Sequence, residues 1–372
     1  MTATDPPVAS PARRRITFLT TVLTPRRGME NAVLRLATAL AERHDVEILV
    51  LHDPGPVSVP RVTITCLDRG GDRRTRQALR RRLGAGRDRE TLVMTGVWAA
   101  AQLLLAAPWR LPAAVAWEHS LTSARLGTGR RFRIRAEAVA RAYRRCAAVV
   151  AVSPVVATTL RDRWSLGSRV IPNLLDLPDQ SPGAARHAAS DGAGRGDHGP
   201  VRLLALGETK PVKNYDALIR ALPLLGGDWR LQMVGGGPLD GPLQDLAREL
   251  GVADRITWHG DLANPTSVLA ASDVLVHPSA SETFGYVLFE AAEQWVPVVA
   301  NAAPVMDSLV PQIVPGLTTS VDPTALAATV AAVVDRFSGP EAAGLFRAAD
   351  QRRRQDFGTA ATLAAWEEVL DG

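Results

Sequence analysis

Two α/β domains in tandem, each a parallel sheet with helices on both faces, are predicted from three observations. At 372 residues the chain is too long for one ordinary hydrophobic core. Short apolar runs alternate with amphipathic ones along most of it, the pattern of successive βα units. Residues 179–199 (DQSPGAARHAASDGAGRGDHG) lose all periodicity and fill with Gly, Ala, Ser and Asp, and alternation then restarts.

Taken in order, residues 16–23 (ITFLTTVL) read as a buried strand, and 29–43 carry helical spacing through Val33, Leu36, Ala37 and Leu40. Short apolar strands follow at 46–51, 61–67, 91–95 and 113–117, with an Ala/Leu-rich helix around 98–107. A basic helix covers 130–146, a strand 148–152, a helix opened by Pro154, and a strand 168–171. In the second half, strands are expected at 201–206, 229–234, 256–259, 274–277 and 296–300. Helices are expected at 215–222, 239–250, 266–271, 285–294, 323–337, 340–354 and 358–370. The expected organisation is a tail over 1–14, a first Rossmann-like domain over 15–178, a linker over 179–199, a second Rossmann-like domain over 200–355 and a terminal helix over 356–372. Open parallel sheets bind ligands beyond the carboxyl ends of their strands, so two such domains are expected to present those edges to a shared cleft.

Composition narrows the class. Hydrophobic content of 46% and charged content of 22% are ordinary for a globular protein, and no apolar run reaches the length of a bilayer span. The first residues (MTATDPPVASPARRR) lack the apolar core of a signal peptide. Cys66 and Cys146 are too few and too far apart to suggest a disulfide framework, so a cytoplasmic protein is expected. The net charge of +5 hides a split. Residues 1–180 hold 29 Arg and no Lys against 15 acidic residues, whereas the remainder holds 12 Arg and 2 Lys against 23. A basic first half fits an anionic partner: a membrane surface, a phosphorylated acceptor or nucleic acid. An Arg-rich composition with no partner fits the count equally. The Arg-rich stretches lack interleaved aromatics and no nucleic-acid module is present, so nucleic acid is not expected.

The densest candidate site is SASETFGYVLFEAAEQ, at 279–294. A strand ends just before it, a loop presents Glu282, and Phe284-Gly285-Tyr286 opens a helix. Free N–H groups and the positive helix end make a seat for a diphosphate or carboxylate, and Gly285 allows close approach. Glu290 lies inside that helix. A helix cap at Glu282 and a surface residue at Glu290 fit the same spacing. The second cluster, GETKPVKN at Gly207–Asn214, also joins a strand to a helix and holds both of the chain's lysines, Lys210 and Lys213. An ammonium is a compact charge suited to phosphate oxygens. Gly235-Gly236-Gly237 follows another strand and reads as a tight turn. In the first half, Arg26-Arg27-Gly28 precedes the first helix, and His119 (in WEHS) follows a strand, a position open to a structural or a functional role.

In number, order and spacing these motifs resemble the retaining glycosyltransferases of family 4, the group 1 transferases with the GT-B fold. The resemblance runs through PRRGMENAVLRLATAL, AVVAVSPVVATTL, SRVIPNLLD, LALGETKPVKNYDALIRAL, LQMVGGGP, ITWHGDL and VLVHPSASETFGYVLFEAAEQWVPVVA, including an E-x7-E pattern at Glu282 and Glu290. It implies two Rossmann-like domains facing across a cleft, with the last helix returning to the first. It implies a nucleoside diphosphate sugar as donor and a hydroxyl acceptor; with Lys213, Lys210 and the helix N-terminus to neutralise the diphosphate and no DxD-like carboxylate pair in the sequence, no metal or other cofactor is expected. By position, Lys213 would hold the diphosphate, Glu290 the ribose hydroxyls and Glu282 the transferred sugar. The backbone at Phe284, Gly285 and Tyr286 would cradle phosphate and sugar, Gly28 would approach the diphosphate, and His119 would touch the sugar. The chain departs from the family where an Arg usually follows the glycine of the second loop, since Glu208 stands there. Lys210, Arg26 or Arg27 are the candidates to replace that charge. Arg27-Gly28 stands where two glycines are usual, and Asp307 only approximates an acid common after the last core strand. The Glu208 departure also suits a catalytically silent nucleotide- or partner-binding member of the fold. A paired-carboxylate glycosidase reading of Glu282 and Glu290 is set aside, because Glu290 belongs to a helix beside a phosphate-type site. The basic stretches 73–89 and 130–145 are candidates for docking on anionic lipid, with a lipid-linked acceptor; a soluble acceptor and plain solvated helix faces remain the alternatives.

Overall fold

The computed structural model describes residues 13–24, 28–52, 57–68, 70–84, 90–121, 130–175, 177, 181–184, 199–339 and 341–372. The expected tail is therefore almost wholly outside the described residues, as are Pro25, Arg26 and Arg27. The chain divides into two compact units, one of residues up to Leu174 together with Ala360–Gly372, the other of Leu175–Thr359.

The first unit is a seven-stranded sheet. Its strands are β1 (Arg15–Thr20), β2 (Asp45–Val50), β3 (Val62–Cys66), β4 (Glu90–Thr95), β5 (Ala114–Glu118), β6 (Ala148–Ala151) and β7 (Arg169–Val170), in the order β3-β2-β1-β4-β5-β6-β7. All neighbours pair in parallel. Strands buried on both faces read as near-continuous apolar runs, and Ile16, Phe18 and Leu19 of β1 are accordingly inaccessible. Helix α1 (Gly28–Leu40) turns Val33, Leu36, Ala37 and Leu40 inward, the face its spacing predicted. Three more helices are α2 (Asp72–Gly84), α3 (Gly96–Ala106) and α4 (Arg130–Tyr143), followed by α5 (Pro154–Trp164). Ser153 caps α5 by accepting from Val156 N, and Pro154 occupies its first turn.

Part of the positive charge of α2 is used inside the unit, while Arg73, Arg74, Arg80 and Arg81 are exposed. Leu79 and Leu83 are buried, and Arg82 reaches over β2 and β4 to pair with Glu47 and with Glu90 at 2.9 Å. Arg110 pairs with Glu90 at 3.1 Å, and Thr17 Oγ1 donates to it at 2.7 Å. Burial alone would raise the Glu90 pKa. The hydrogen bonds from Arg82 and Thr17 and the charges of Arg82 and Arg110 outweigh it, so the carboxyl titrates below its ordinary 4.5.

The second unit repeats the plan with six parallel strands: β8 (Val201–Leu206), β9 (Trp229–Val234), β10 (Ile256–Gly260), β11 (Val274–His277), β12 (Val298–Asn301) and β13 (Gly316–Thr319), ordered β10-β9-β8-β11-β12-β13. Its helices are α6 (Tyr215–Ala221), α7 (Asp240–Glu249), α8 (Thr266–Ala270), α9 (Tyr286–Glu293), α10 (Pro304–Ile313), α11 (Pro323–Phe337) and α12 (Ala342–Phe357). Strand β13 and helix α10 were not read from the sequence. Strand β13 (GLTT) is half-exposed along its length and has no apolar run to announce it. A Cβ at Gly316 would come within 2.2 Å of Val298 O, so its neighbour β12 can lie close only because a glycine stands there.

The described part of the expected linker is not loose. Ser181 is buried and donates to Asp350 at 2.8 Å, Arg353 donates to Ser181 at 3.0 Å, and a helical turn follows. A Cβ at Gly183 would strike Gln294 and Trp295, so residues 181–184 belong to the body of the second unit. Residues 179–180 and 185–198 lie outside the described residues.

The final helix α13 (Thr359–Asp371) groups with the first unit, as the resemblance implied. Trp366 is fully buried and meets Trp117 edge-on at 4.9 Å. Arg14 donates to Leu370 O at 2.7 Å, and His44 meets Glu367 at 2.9 Å. The turn between α12 and α13 is at Gly358, where any Cβ would meet Arg354 O at 2.4 Å.

Two outcomes follow for stability. Trp366→Ala removes a fully buried ring and is expected to lower unfolding stability by about 3–5 kcal/mol in urea titrations. Because Glu90 titrates lower folded than unfolded, its contribution is present above pH 4.5 and is lost as pH falls through the native value. Glu90→Gln is therefore expected to be less stable at pH 7 but to lose less on acidification below pH 4.5, read as urea midpoints across pH.

Candidate functional site

The order of the second sheet reverses between β8 and β11, which lie side by side. Loops leaving the carboxyl ends of those two strands lie at the usual ligand position of such sheets. They are the two loops that the sequence singled out. They are tied to each other and to β12: Ala280 N donates to Val212 O at 2.8 Å, Asn214 Nδ2 to Pro278 O at 3.1 Å and Asn301 Nδ2 to Ser279 O at 3.2 Å.

The first loop leaves β8 at Gly207, with φ +138°. A Cβ there would sit 3.2 Å from Tyr215 Oη and 3.7 Å from Lys213 Cε, so the glycine serves both the backbone turn and the space beside the lysine. A short 3-10 turn, Pro211–Lys213, then raises Lys213, and Asn214 in the left-handed region (φ 50°) starts α6. The second loop leaves β11 at His277. Gly285 (φ +74°) precedes α9, where a Cβ would meet Met306 Cε at 3.1 Å. No side chain caps that helix.

Lys213 and Glu282 meet here. Lys213 Nζ lies 2.5 Å from Glu282 Oε1, and His277 Nε2 lies 3.0 Å from the same oxygen. Burial would push the Glu282 pKa up. The His277 hydrogen bond and the Lys213 charge outweigh that and pull the carboxyl down to about 2. His277 is wholly inaccessible, and burial, the largest effect on it, lowers its pKa and keeps the ring neutral. Tyr215 Oη is buried without a hydrogen-bond partner among the described residues, and its acidity is suppressed by burial and by Glu282. The assembled group is thus a mostly covered cation, a carboxylate, a neutral imidazole and an unsatisfied hydroxyl beside a helix N-terminus.

The other expected residues fall in different places. Lys210 pairs with Glu208 at 2.6 Å, both about half exposed, so the second lysine does not join Lys213. Phe284 is buried and its ring stacks on Phe289 at 4.9 Å, which leaves only its backbone for a ligand. Tyr286 opens α9 and meets Phe284 edge-on. Glu290 is exposed further along α9, and Asp307 is exposed in the first turn of α10. The glycine run is a turn whose donors are already used: Gly236 N donates to Asp261 and Gly237 N to Asp240, each at 3.0 Å. No group of three or more metal-ligating side chains is present among the described residues.

In the first unit, Gly28 opens α1 at the exposed edge where the strand order reverses between β1 and β4. His119 follows β5 with its ring 4.2 Å from Trp117. Burial alone drops its pKa to about 3, and its Nε2 has no partner among the described residues. Its neighbour Glu118, not singled out from the sequence, is a buried carboxylate that accepts from Tyr143 Oη at 2.7 Å and from Ser120 N and Oγ at 2.8 and 2.7 Å. Together these bonds fix the backbone that carries His119.

Sequence reasoning also passed over His277 and Tyr215. The available signal was positional: a histidine ending an apolar strand five residues before Glu282, and a tyrosine directly after the lysine loop.

Comparison with known proteins agrees with this layout. The family described as Glycosyltransferase Family 4 matches residues 26–178, and the family described as Glycosyl transferases group 1 matches residues 193–340. A D-inositol 3-phosphate glycosyltransferase of Mycobacteroides abscessus is 38% identical over 135 residues, covering 34% of this chain and 30% of that protein. Another, from Xylanimonas cellulosilytica, is 32% identical over 214 residues, covering 54% and 51%. The chain thus spans between about a quarter and a half of the length of the curated relatives it matches. Among solved structures, sucrose-phosphate synthase from Thermosynechococcus elongatus superposes with a TM-score of 0.78 at 19% identity, over 96% of this chain and 98% of that one. HepE of Anabaena, solved in complex with UDP-glucose, superposes with a TM-score of 0.75 at 19% identity, over 96% and 100%. Two Rossmann-like units in sequence, each matched by its own family model, make this chain a member of the group 1 glycosyltransferases of the GT-B fold.

Proposed function

We propose that the protein transfers a sugar from a nucleoside diphosphate sugar to a hydroxyl acceptor, with retention of anomeric configuration. The observation that carries this reading is the pairing of Lys213 with Glu282 at the switch point of the second sheet, beside Gly207 and the N-terminus of α9. As the glycosidic bond breaks, the departing diphosphate gains charge. Lys213 and the backbone N–H groups at Gly285 and Tyr286 are the groups that would stabilise it, preorganised and largely shielded from water. Those groups make a metal unnecessary. Glu282 would hold the transferred sugar and Glu290 the ribose. With the leaving diphosphate as the group that takes the acceptor proton, neither glutamate acts as a nucleophile. From the first unit, Gly28 is assigned to the diphosphate and His119 to the sugar. A neutral His119 would serve as a hydrogen-bonding group and not as a cation, in keeping with its depressed pKa.

The relatives' names concern a phosphorylated inositol acceptor, and the Arg-rich first unit suits an anionic acceptor in this protein too. A second reading has its own observation. Trp98 and Leu105 on α3, Trp109 after it and Ile134 on α4 are all exposed, and Arg80 lies over the Trp109 ring at 5.2 Å. Exposed aromatic and aliphatic side chains among arginines suit the interface of an anionic membrane and hence a lipid-linked acceptor. No helix among the described residues is long and apolar enough to cross a membrane.

Nucleoside diphosphate release from UDP- and GDP-sugars, with and without EDTA, tests the reaction. Wild type is expected to turn over equally in both. Lys213→Ala and Glu282→Gln are each expected to lose about 10²–10³-fold in kcat, as when one preorganised stabilising group is removed. No release above background in any of the three proteins would leave a silent member of the fold as the better reading. For the membrane reading, flotation with phosphatidylglycerol vesicles is expected to carry wild type upward and to fail for Trp98→Ser/Trp109→Ser. No difference between anionic and neutral vesicles would favour a soluble acceptor.

A further inference from the structure

Two donors converge on one oxygen of Glu282. Lys213 Nζ and His277 Nε2 both meet Oε1, at 2.5 and 3.0 Å, and Oε2 accepts no hydrogen bond among the described residues. A carboxylate can only accept, so the imidazole proton resides on Nε2. Nδ1 is then a bare acceptor, and it is buried without a partner. The ring is held by the sheet itself: His277 is the last residue of β11, in register with Ala300 of β12, and wholly inaccessible.

Lys213 has a conflict to resolve. In this structure its charge is committed to Glu282, whereas the function proposed above commits it to a diphosphate. As the cation turns to phosphate, a largely buried carboxylate loses its main counter-charge, and burial then favours its protonated form. A second cation beside Glu282 would compete for the same phosphate. A neutral N–H donor does not.

We propose that His277 is the positioning residue of the donor site, holding Oε1 of Glu282 while Lys213 turns to the diphosphate and leaving Oε2 for a sugar hydroxyl. This rests on the donor-site reading above. Among the described residues, the charged and titratable groups that act on or feel Glu282 are Lys213, His277 and Tyr215. His277 touches no reacting atom; it acts through Glu282.

The test compares wild type with His277→Phe, His277→Gln, Glu282→Gln and the His277→Phe/Glu282→Gln pair. UDP, GDP and ADP binding is followed by calorimetry, and nucleoside diphosphate release from the matching sugar donor is followed between pH 5 and 9. His277→Phe fills the ring's space without a donor and is expected to lose about tenfold or more in kcat with a smaller change in KM, the loss of a charge-assisted hydrogen bond. Its acid limb should move up toward neutral pH, while the wild-type limb stays below pH 5. His277→Gln, which restores an N–H, should recover most of the rate and the wild-type profile. In the Glu282→Gln background, His277→Phe should have no further effect on kcat. Should His277→Phe fail to fold by circular dichroism, His277→Asn, too short to reach Oε1, replaces it. Nitrogen-15 NMR of the His277 ring gives a readout apart from activity, with the proton expected on Nε2 with and without nucleotide. A wild-type rate and pH profile in His277→Phe, or an equal loss with and without Glu282, would overturn the proposal. Wild type that binds none of the three nucleotides would instead overturn the donor-site reading on which it stands.

Discussion

A parallel sheet has to be covered by helices on both faces, and that constraint organises both units of this protein. Most strands hand over to a loop at the carboxyl end and most of those loops to a helix N-terminus, and these junctions line one edge of each sheet. Chemistry collects there because that edge is where backbone N–H groups are unsatisfied and side chains are freed from the apolar faces. The Lys213–Glu282 pair exists because β8 and β11, far apart in sequence, are neighbours where the strand order reverses. Neither residue could be placed by its own loop alone. Hydrogen bonds between the loops, through Val212, Asn214, Pro278 and Ala280, hold the pair in register.

Electrostatics divides between structure and site. In the first unit the Arg82–Glu90–Arg110 cluster spends part of the basic excess on joining α2 to the sheet. A buried cluster of this kind persists because each charge is paired and hydrogen-bonded, since breaking one partner strands the other. The exposed arginines are the remainder that a partner could meet. In the second unit, Arg353 is nearly inaccessible and pairs with Glu293 and Asp350 while bonding Ser181, which pins the start of the unit to α12. The Lys213–Glu282 pair differs from both. It is partly open, it sits at the ligand edge, and one of its partners is shared with a neutral histidine.

Legibility from sequence tracked the range of the interaction. The strand–helix alternation, the two-unit plan, the glycine at each loop and the candidate residues Lys213, Glu282 and Gly285 all express local rules of period, turn and helix terminus. Lys210 read like Lys213, because both lie in one loop and composition treats them alike. The 3-10 turn separates them, sending Lys213 toward Glu282 and leaving Lys210 with its neighbour Glu208. His277 was hidden for the opposite reason: as the last residue of an apolar strand it read only as strand. Ser181–Ala184 looked like linker because small and polar residues carry no period, yet Ser181 is bound through residues some 170 positions away.

By itself, then, the amino-acid sequence determined the architecture and the identity of the two loops that matter, since hydrophobic periodicity and glycine placement act over a few residues. Tertiary structure alone decided which side chains meet. That one oxygen of Glu282 serves both Lys213 and His277, and that the last helix buries Trp366 against Trp117, depend on neighbours brought together by sheet order and not by sequence distance.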